Sequence, residues 1–70
     1  MNQLRNNGIY SKNEYVGKTL EEANKFAEQG GFITRIVEKE GIPLMIDNDV
    51  KANRLNFRVK GDKVVDVFGG

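Results

Sequence analysis

The chain has 70 residues, no cysteine and no histidine, and is 39% hydrophobic and 30% charged. That is the length of one small domain, which buries only about 60% of the surface its unfolded chain exposes. Disulfide staples, Ser/His/Asp and Cys/His nucleophilic sites are excluded, and a structural zinc site has neither His nor Cys to be built from.

A net charge of +1 and a pI near 8.0 lack the concentrated basic excess of a dedicated nucleic-acid binder. With no side chain suited to acid–base work near neutral pH, so short a chain reads as a binder rather than an enzyme, needing no cofactor and no metal. No apolar run approaches the roughly 20 residues of a membrane-spanning helix. Met1 to Tyr15 also lacks the apolar centre of a signal peptide. The chain as given therefore reads as intracellular, with secretion from a longer precursor left open.

Residues 1–15 are polar and Asn-rich, with scattered Leu4, Ile9, Tyr10 and Tyr15 and no sustained period. They are expected to be a flexible arm whose last part docks a tyrosine on the core. The ordered domain is expected over 16–70. Thr19 followed by Glu22 is a capping-box pattern, and Glu21 and Glu22 suit the positive end of a helix dipole. Leu20, Ala23, Phe26 and Ala27 then share one helical face. Gly30-Gly31 supplies a left-handed stop.

Phe32 to Lys39 is β-branched and aromatic between glycines and reads as a strand. Phe32, Thr34 and Ile36 share one face, and Ile33, Arg35 and Val37 the other. Arg54 to Lys60 alternates: Leu55, Phe57 and Val59 point one way, and Arg54, Asn56, Arg58 and Lys60 the other. Gly61-Asp62 is a two-residue hairpin signal. In the returning strand, Lys63 to Phe68, Val65 and Val67 are the expected inward pair. Val64 and Phe68 stay ambiguous, because a slip of one residue exchanges the faces.

Between the first two strands lies Glu40 to Asn53, a long connection for so small a domain. Such loops are commonly functional. It carries Ile42, Leu44, Met45, Ile46 and Val50, and Pro43 is the only proline in the chain. Pro43 biases Ile42 towards extended backbone. Two readings stand: an extended binding loop, or a further short strand with Leu44 and Ile46 packing inward. The fold class is therefore α+β, with a single helix on a small mixed sheet and a long exposed loop. Parallel pairing is implied between the strands at 32–39 and 54–60.

Val16-Gly17-Lys18-Thr19-Leu20-Glu21-Glu22-Ala23 resembles the helix start of the potato type I serine protease inhibitors and their bacterial relatives. Gly41-Ile42-Pro43-Leu44-Met45-Ile46-Asp47 looks like the reactive-site loop of the bacterial relatives, and Arg54-Leu55-Asn56-Phe57-Arg58-Val59 like the strand that follows it. The resemblance covers about residues 16–70, helix to C-terminal strand, in the same order. It implies a loop, residues 41–50, offered in substrate-like form to a subtilisin- or chymotrypsin-like protease, held rigid so that it is bound tightly and cut slowly. Pro43, Leu44, Met45, Ile46, Asp47, Asn48 and Asp49 would form that loop, with Arg54, Asn56 and Arg58 supporting it from below.

In one register the scissile bond is Ile46–Asp47. A gapless count back from Arg54 puts it at Asn48–Asp49 instead. The segment is longer than the family pattern, with Asn48-Asp49 as the inserted pair. Met45 stands where threonine is usual, Asn56 replaces the second supporting arginine of the plant proteins, and Asn53 replaces an aspartate. A longer, less braced loop suits the alternative of the same scaffold blocking some partner other than a protease.

Three further readings touch parts of this sequence. Gly69-Gly70 is similar to the ending of ubiquitin-like sulfur carriers, but residues 1–15 offer no opening hairpin of that fold, and a loose tail is the simpler expectation. Lys51, Arg54, Arg58, Lys60 and Lys63 against Asp62 give residues 51–63 a net charge of +4. Phosphate contacts there are less economical than Arg54 and Arg58 bracing Asp47 and Asp49. Asp47-x-Asp49 alone is a weak cation signal, short of the oxygen donors of an EF-hand loop.

Overall fold

A computed structural model describes residues 10–70. The expected arm therefore lies mostly outside the described residues, and its last part is docked as expected. A 3₁₀ turn, Lys12–Glu14, leads to Tyr15, which is buried in the core. Its ring meets Phe26 edge-on at 5.3 Å and Phe57 at 5.8 Å between centroids. Tyr10 adds edge contacts to Tyr15 and Phe32, so the domain begins before residue 16.

Helix α1 spans Leu20–Gln29, and both halves of the capping box form: Glu22 N–H donates to Thr19 Oγ1, and Thr19 N–H donates to the Glu22 carboxylate. At the other end Phe32 N–H reaches back to Ala27 O at 2.9 Å and Gly31 N–H to Glu28 O at 3.0 Å. This pair of bonds is a Schellman closure, and the left-handed residue in it is Gly31, at φ 85°. Ala23 and Ala27 are fully buried, with Leu20 and Phe26 packed beside them.

Four strands follow: β1 Ile33–Lys39, β2 Ile42–Pro43, β3 Arg54–Lys60 and β4 Lys63–Gly69. They form one mixed sheet in the order β2-β1-β3-β4, with β1 and β3 parallel and the other pairs antiparallel. Leu55, Phe57, Val59, Val64 and Val67 form the sheet side of the core that α1 covers. Completely burying a side chain such as Phe57 contributes about 2–3 kcal/mol.

Two bulges set what each face carries. In β1, Ile36 faces Phe57 but Glu38 faces Arg58, so Val37 is the extra residue. Val37 is buried away from the main core cluster, and its carbonyl takes Leu44 N–H at 2.9 Å. In β4, Val67 faces Phe57, Asp66 faces Arg58 and Val64 faces Val59, which leaves Val65 unpaired. The expected inward pair of Val65 and Val67 is therefore corrected: Val64 and Val67 are buried and Val65 is exposed. An inserted residue shifts the alternation by one and keeps both core positions inward.

Nor is Gly69-Gly70 a loose tail. Gly69 belongs to β4 opposite Leu55 and donates its N–H to Tyr10 Oη at 3.0 Å, while Gly70 N–H donates to Arg54 O at 3.1 Å. The β1–β2 turn is Glu40-Gly41, with φ of 53° and 78°, the conformation a tight two-residue hairpin needs. Among the described residues no helix is long and apolar enough to cross a membrane.

Candidate functional site: an exposed loop on an arginine foot

Residues 41–53 are exposed throughout, and Met45 is completely so. The alternative of an inward-packing strand through Leu44 and Ile46 is thereby corrected. The short strand that forms is Ile42–Pro43, and Leu44 and Ile46 remain 40% and 45% accessible. The hairpin register Lys39↔Ile42, Glu38↔Pro43 is carried one step further by Leu44 N–H donating to Val37 O, and beyond Leu44 the chain makes no ladder bond to β1 among the described residues.

The loop is held at two feet. At the first, Leu44 is bonded to Val37. At the second, Arg54 Nη2 donates to the Asp49 carbonyl at 2.9 Å and Nη1 stands 3.5 Å from the Asp49 carboxylate. Lys51 N–H donates to Gly70 O at 3.3 Å, and Arg54 Nε and Nη2 donate to that same oxygen at 3.2 and 2.8 Å. Between these feet, Met45–Asn48 makes no hydrogen bond to the rest of the described chain. A span pinned at both ends and free in the middle presents its side chains outward.

The second foot draws on two strands. Arg54 opens β3 and its side chain is only 7% exposed. Arg35 on β1 donates from Nε to Asn56 Oδ1 at 2.8 Å, and its Nη1 lies 3.7 Å from Asp49 Oδ1. Asn56 is 1% exposed and also donates to Phe68 O at 3.3 Å. Lys51 Nζ lies 3.8 Å from Asp49 on the solvent side. Partial desolvation pushes the Asp49 carboxyl up, but Arg54, then Lys51 and Arg35, outweigh it and hold it below the ordinary carboxylate value.

Three expectations change here. Arg58 does not support the loop. It pairs with Asp66 at 2.7 Å, approaches Glu38 at 3.5 Å and stacks over Phe68, because the register aligns Glu38, Arg58 and Asp66 across three strands. Asp47 forms no ion pair among the described residues, and Asp49 takes the arginines alone. Asn56 touches no loop residue among the described hydrogen bonds and acts through Arg35. In the sequence Arg35 is one residue of an alternating strand, with no local signal that singles it out. Its parallel register with Asn56 is the signal that places it, and register is not readable from one strand.

Between the loop and the sheet lies a groove of about 410 Å³, lined by Leu44, Met45, Ile46 and Asp47 and by Arg35, Ile36 and Arg54. Of the five cations in 51–63, Lys51, Arg54 and Arg58 are committed to acidic partners, which leaves Lys60 and Lys63 beside the hairpin turn. Among the described residues no group of three or more side chains could hold a metal ion. Comparison with protein-family models, with characterised proteins and with solved structures returns no match for this chain.

Proposed function

We propose that this domain blocks a serine protease of the subtilisin or chymotrypsin type by inserting the loop 41–50 into its active-site cleft. The single observation that carries the reading is the two-footed loop: Met45–Asn48 is exposed and unbonded, while Arg54 grips the next residue, Asp49, by carbonyl and carboxylate. Such a loop enters a cleft with little further ordering, which lowers the entropic cost of binding. If its peptide bond is cut, Arg54 and the Leu44–Val37 bond keep the new ends near each other, which favours religation over release.

The resemblance to potato type I inhibitors supports the same reading. It implies an acid after the scissile bond and arginines on the following strand that support the loop, and of the two loop acids Asp49 is the one the arginines here approach. That braced acid favours the Asn48–Asp49 bond over Ile46–Asp47. Met45 then stands on the N-terminal side of the bond, free to enter an apolar subsite.

The test is incubation with subtilisin and with chymotrypsin, following enzyme activity and chain mass together. Slow stoichiometric inhibition, with the chain intact or nicked once at Asn48–Asp49, is the expected result. A single nick at Ile46–Asp47 would move the register. Rapid cleavage within 45–50 and no inhibition would overturn the reading, leaving the scaffold as a block for a different protein.

A further inference from the structure

Resting on the loop reading above, we propose that Arg35 is a positioning residue of the loop: clasped by Asn56, it holds Asp49 from β1 while Arg54 holds it from β3. The geometry divides the carboxylate between the two strands. Oδ1 faces Arg35 Nη1 at 3.7 Å, and Oδ2 faces Arg54 Nη1 at 3.5 Å.

Neither distance alone would fix a side chain at the surface, where single ion pairs contribute little. What distinguishes Arg35 is its second attachment. Its Nε donates to Asn56 Oδ1 at 2.8 Å, and Asn56 is itself immobilised by burial and by its bond to Phe68 O. A guanidinium fixed at Nε has its plane set, so Nη1 is aimed at Asp49 before the loop closes on it. The Arg35↔Asn56 register puts this pair directly beneath the second foot of the loop.

Position 56 thus contributes to the brace without a charge of its own, and the second guanidinium arrives from the neighbouring strand. Lys51, half-exposed and 3.8 Å from Oδ2, has no such clasp and is a weaker partner. The device explains a buried asparagine on a strand face that would otherwise be expected to meet solvent. An unpaired Asn56 would cost stability, and Arg35 satisfies it while serving the loop.

The test compares the wild type with R35Q, D49N and the double variant, reading amide exchange at the two bonded foot amides, Leu44 and Lys51, and the carboxyl titration of Asp49 by NMR. R35Q is expected to speed exchange at the second foot, Lys51, about five-fold, the scale of one partly exposed ion pair. It is also expected to move the Asp49 titration upward. In the D49N background the same substitution should add nothing.

Exchange and titration unchanged in R35Q, or equal acceleration in both backgrounds, would overturn the proposal. Should R35Q fail to fold, R35K carries the same comparison, because an ammonium cannot bridge Asn56 and Asp49 as the guanidinium does. None of these readouts needs a protease. A wild type that inhibits no enzyme would overturn the functional reading and leave the Arg35 result standing.

Discussion

Arg54 holds Asp49 by two different groups, donating to its carbonyl at 2.9 Å and standing 3.5 Å from its carboxylate. The same guanidinium donates to Gly70 O, so loop foot and chain end share one buried cation. Replacing Arg54 with Ala leaves both carbonyl oxygens without that donor and should cost about 2 kcal/mol of stability. Its larger effect is expected on the loop: cleavage by subtilisin should accelerate, and the proposed inhibition should give way to turnover. Arg54→Lys should resemble Arg54→Ala in the cleavage assay, because one ammonium cannot serve Asp49 and Gly70 together.

The two loop acids are expected to behave differently. Asp49→Asn should loosen residues 45–50, whereas Asp47→Asn, which breaks no ion pair among the described residues, should leave loop exchange and stability near wild type. Measuring both variants by amide exchange at Leu44 and Lys51 and by the rate of loop cleavage checks this. Equal effects would mean that the brace does not run through Asp49.

Asp49 and Asp66 predict the acid limb of the stability curve. Asp66 is held low first by its hydrogen bond from Lys12, against the opposing pull of desolvation, with Val67 N–H and Arg58 adding to the lowering. Both carboxyls have folded values below the unfolded one of about 3.9. Their contribution is therefore complete above that value and is lost as pH falls through the lower folded values. Urea unfolding should show a plateau above about pH 5 and a decline below about pH 4. Arg58→Ala should flatten part of that decline while leaving the rate of loop cleavage unchanged, since Arg58 serves Asp66 and not the loop.

Tyr15 sets the opposite limb. Burial first, and then the nearby Glu14 charge, push its phenol above the ordinary value. A raised folded value means that stability is complete below the unfolded value of about 10 and is lost as pH climbs towards the folded one. Absorbance titration should show a tyrosine ionising above the ordinary phenol value, and Tyr15→Phe should remove that step.

Glu40 sits at φ 53°, costly for a residue with a side chain, and its carboxylate accepts Gly61 N–H, tying the β1–β2 turn to the β3–β4 turn. Glu40→Ala loses that bond and keeps the strain, so it should destabilise by about 1 kcal/mol. Glu40→Gly loses the bond but relieves the strain, so it should lie within about 0.5 kcal/mol of wild type. Ordering the two by urea midpoint checks this.

The bulge in β4 gives the sharpest contrast among the valines. Val64→Ala and Val67→Ala each empty a fully buried site and should cost about 2 kcal/mol. Val65→Ala, on the exposed bulge residue, should cost less than about 0.5 kcal/mol.

The reversal at Val65 marks the boundary of what the amino-acid sequence determines by itself here. Signals carried within a few residues were legible: Thr19 and Glu22 start α1, the Gly30-Gly31 pair ends it, Leu55-x-Phe57-x-Val59 marks a half-buried strand, and Gly61-Asp62 turns the chain. The α+β class and the exposed Glu40–Asn53 connection follow from those signals in order. The bulges at Val37 and Val65, the choice of Asp49 over Asp47, the diversion of Arg58 to Asp66 and the recruitment of Arg35 were decided only by the tertiary structure. Each depends on the register between strands that are distant in the chain, as Arg35 and Asn56 are at 21 residues apart. Local propensity is blind to that register, because a shift of one residue leaves the composition and period of each strand unchanged while exchanging every partner across it.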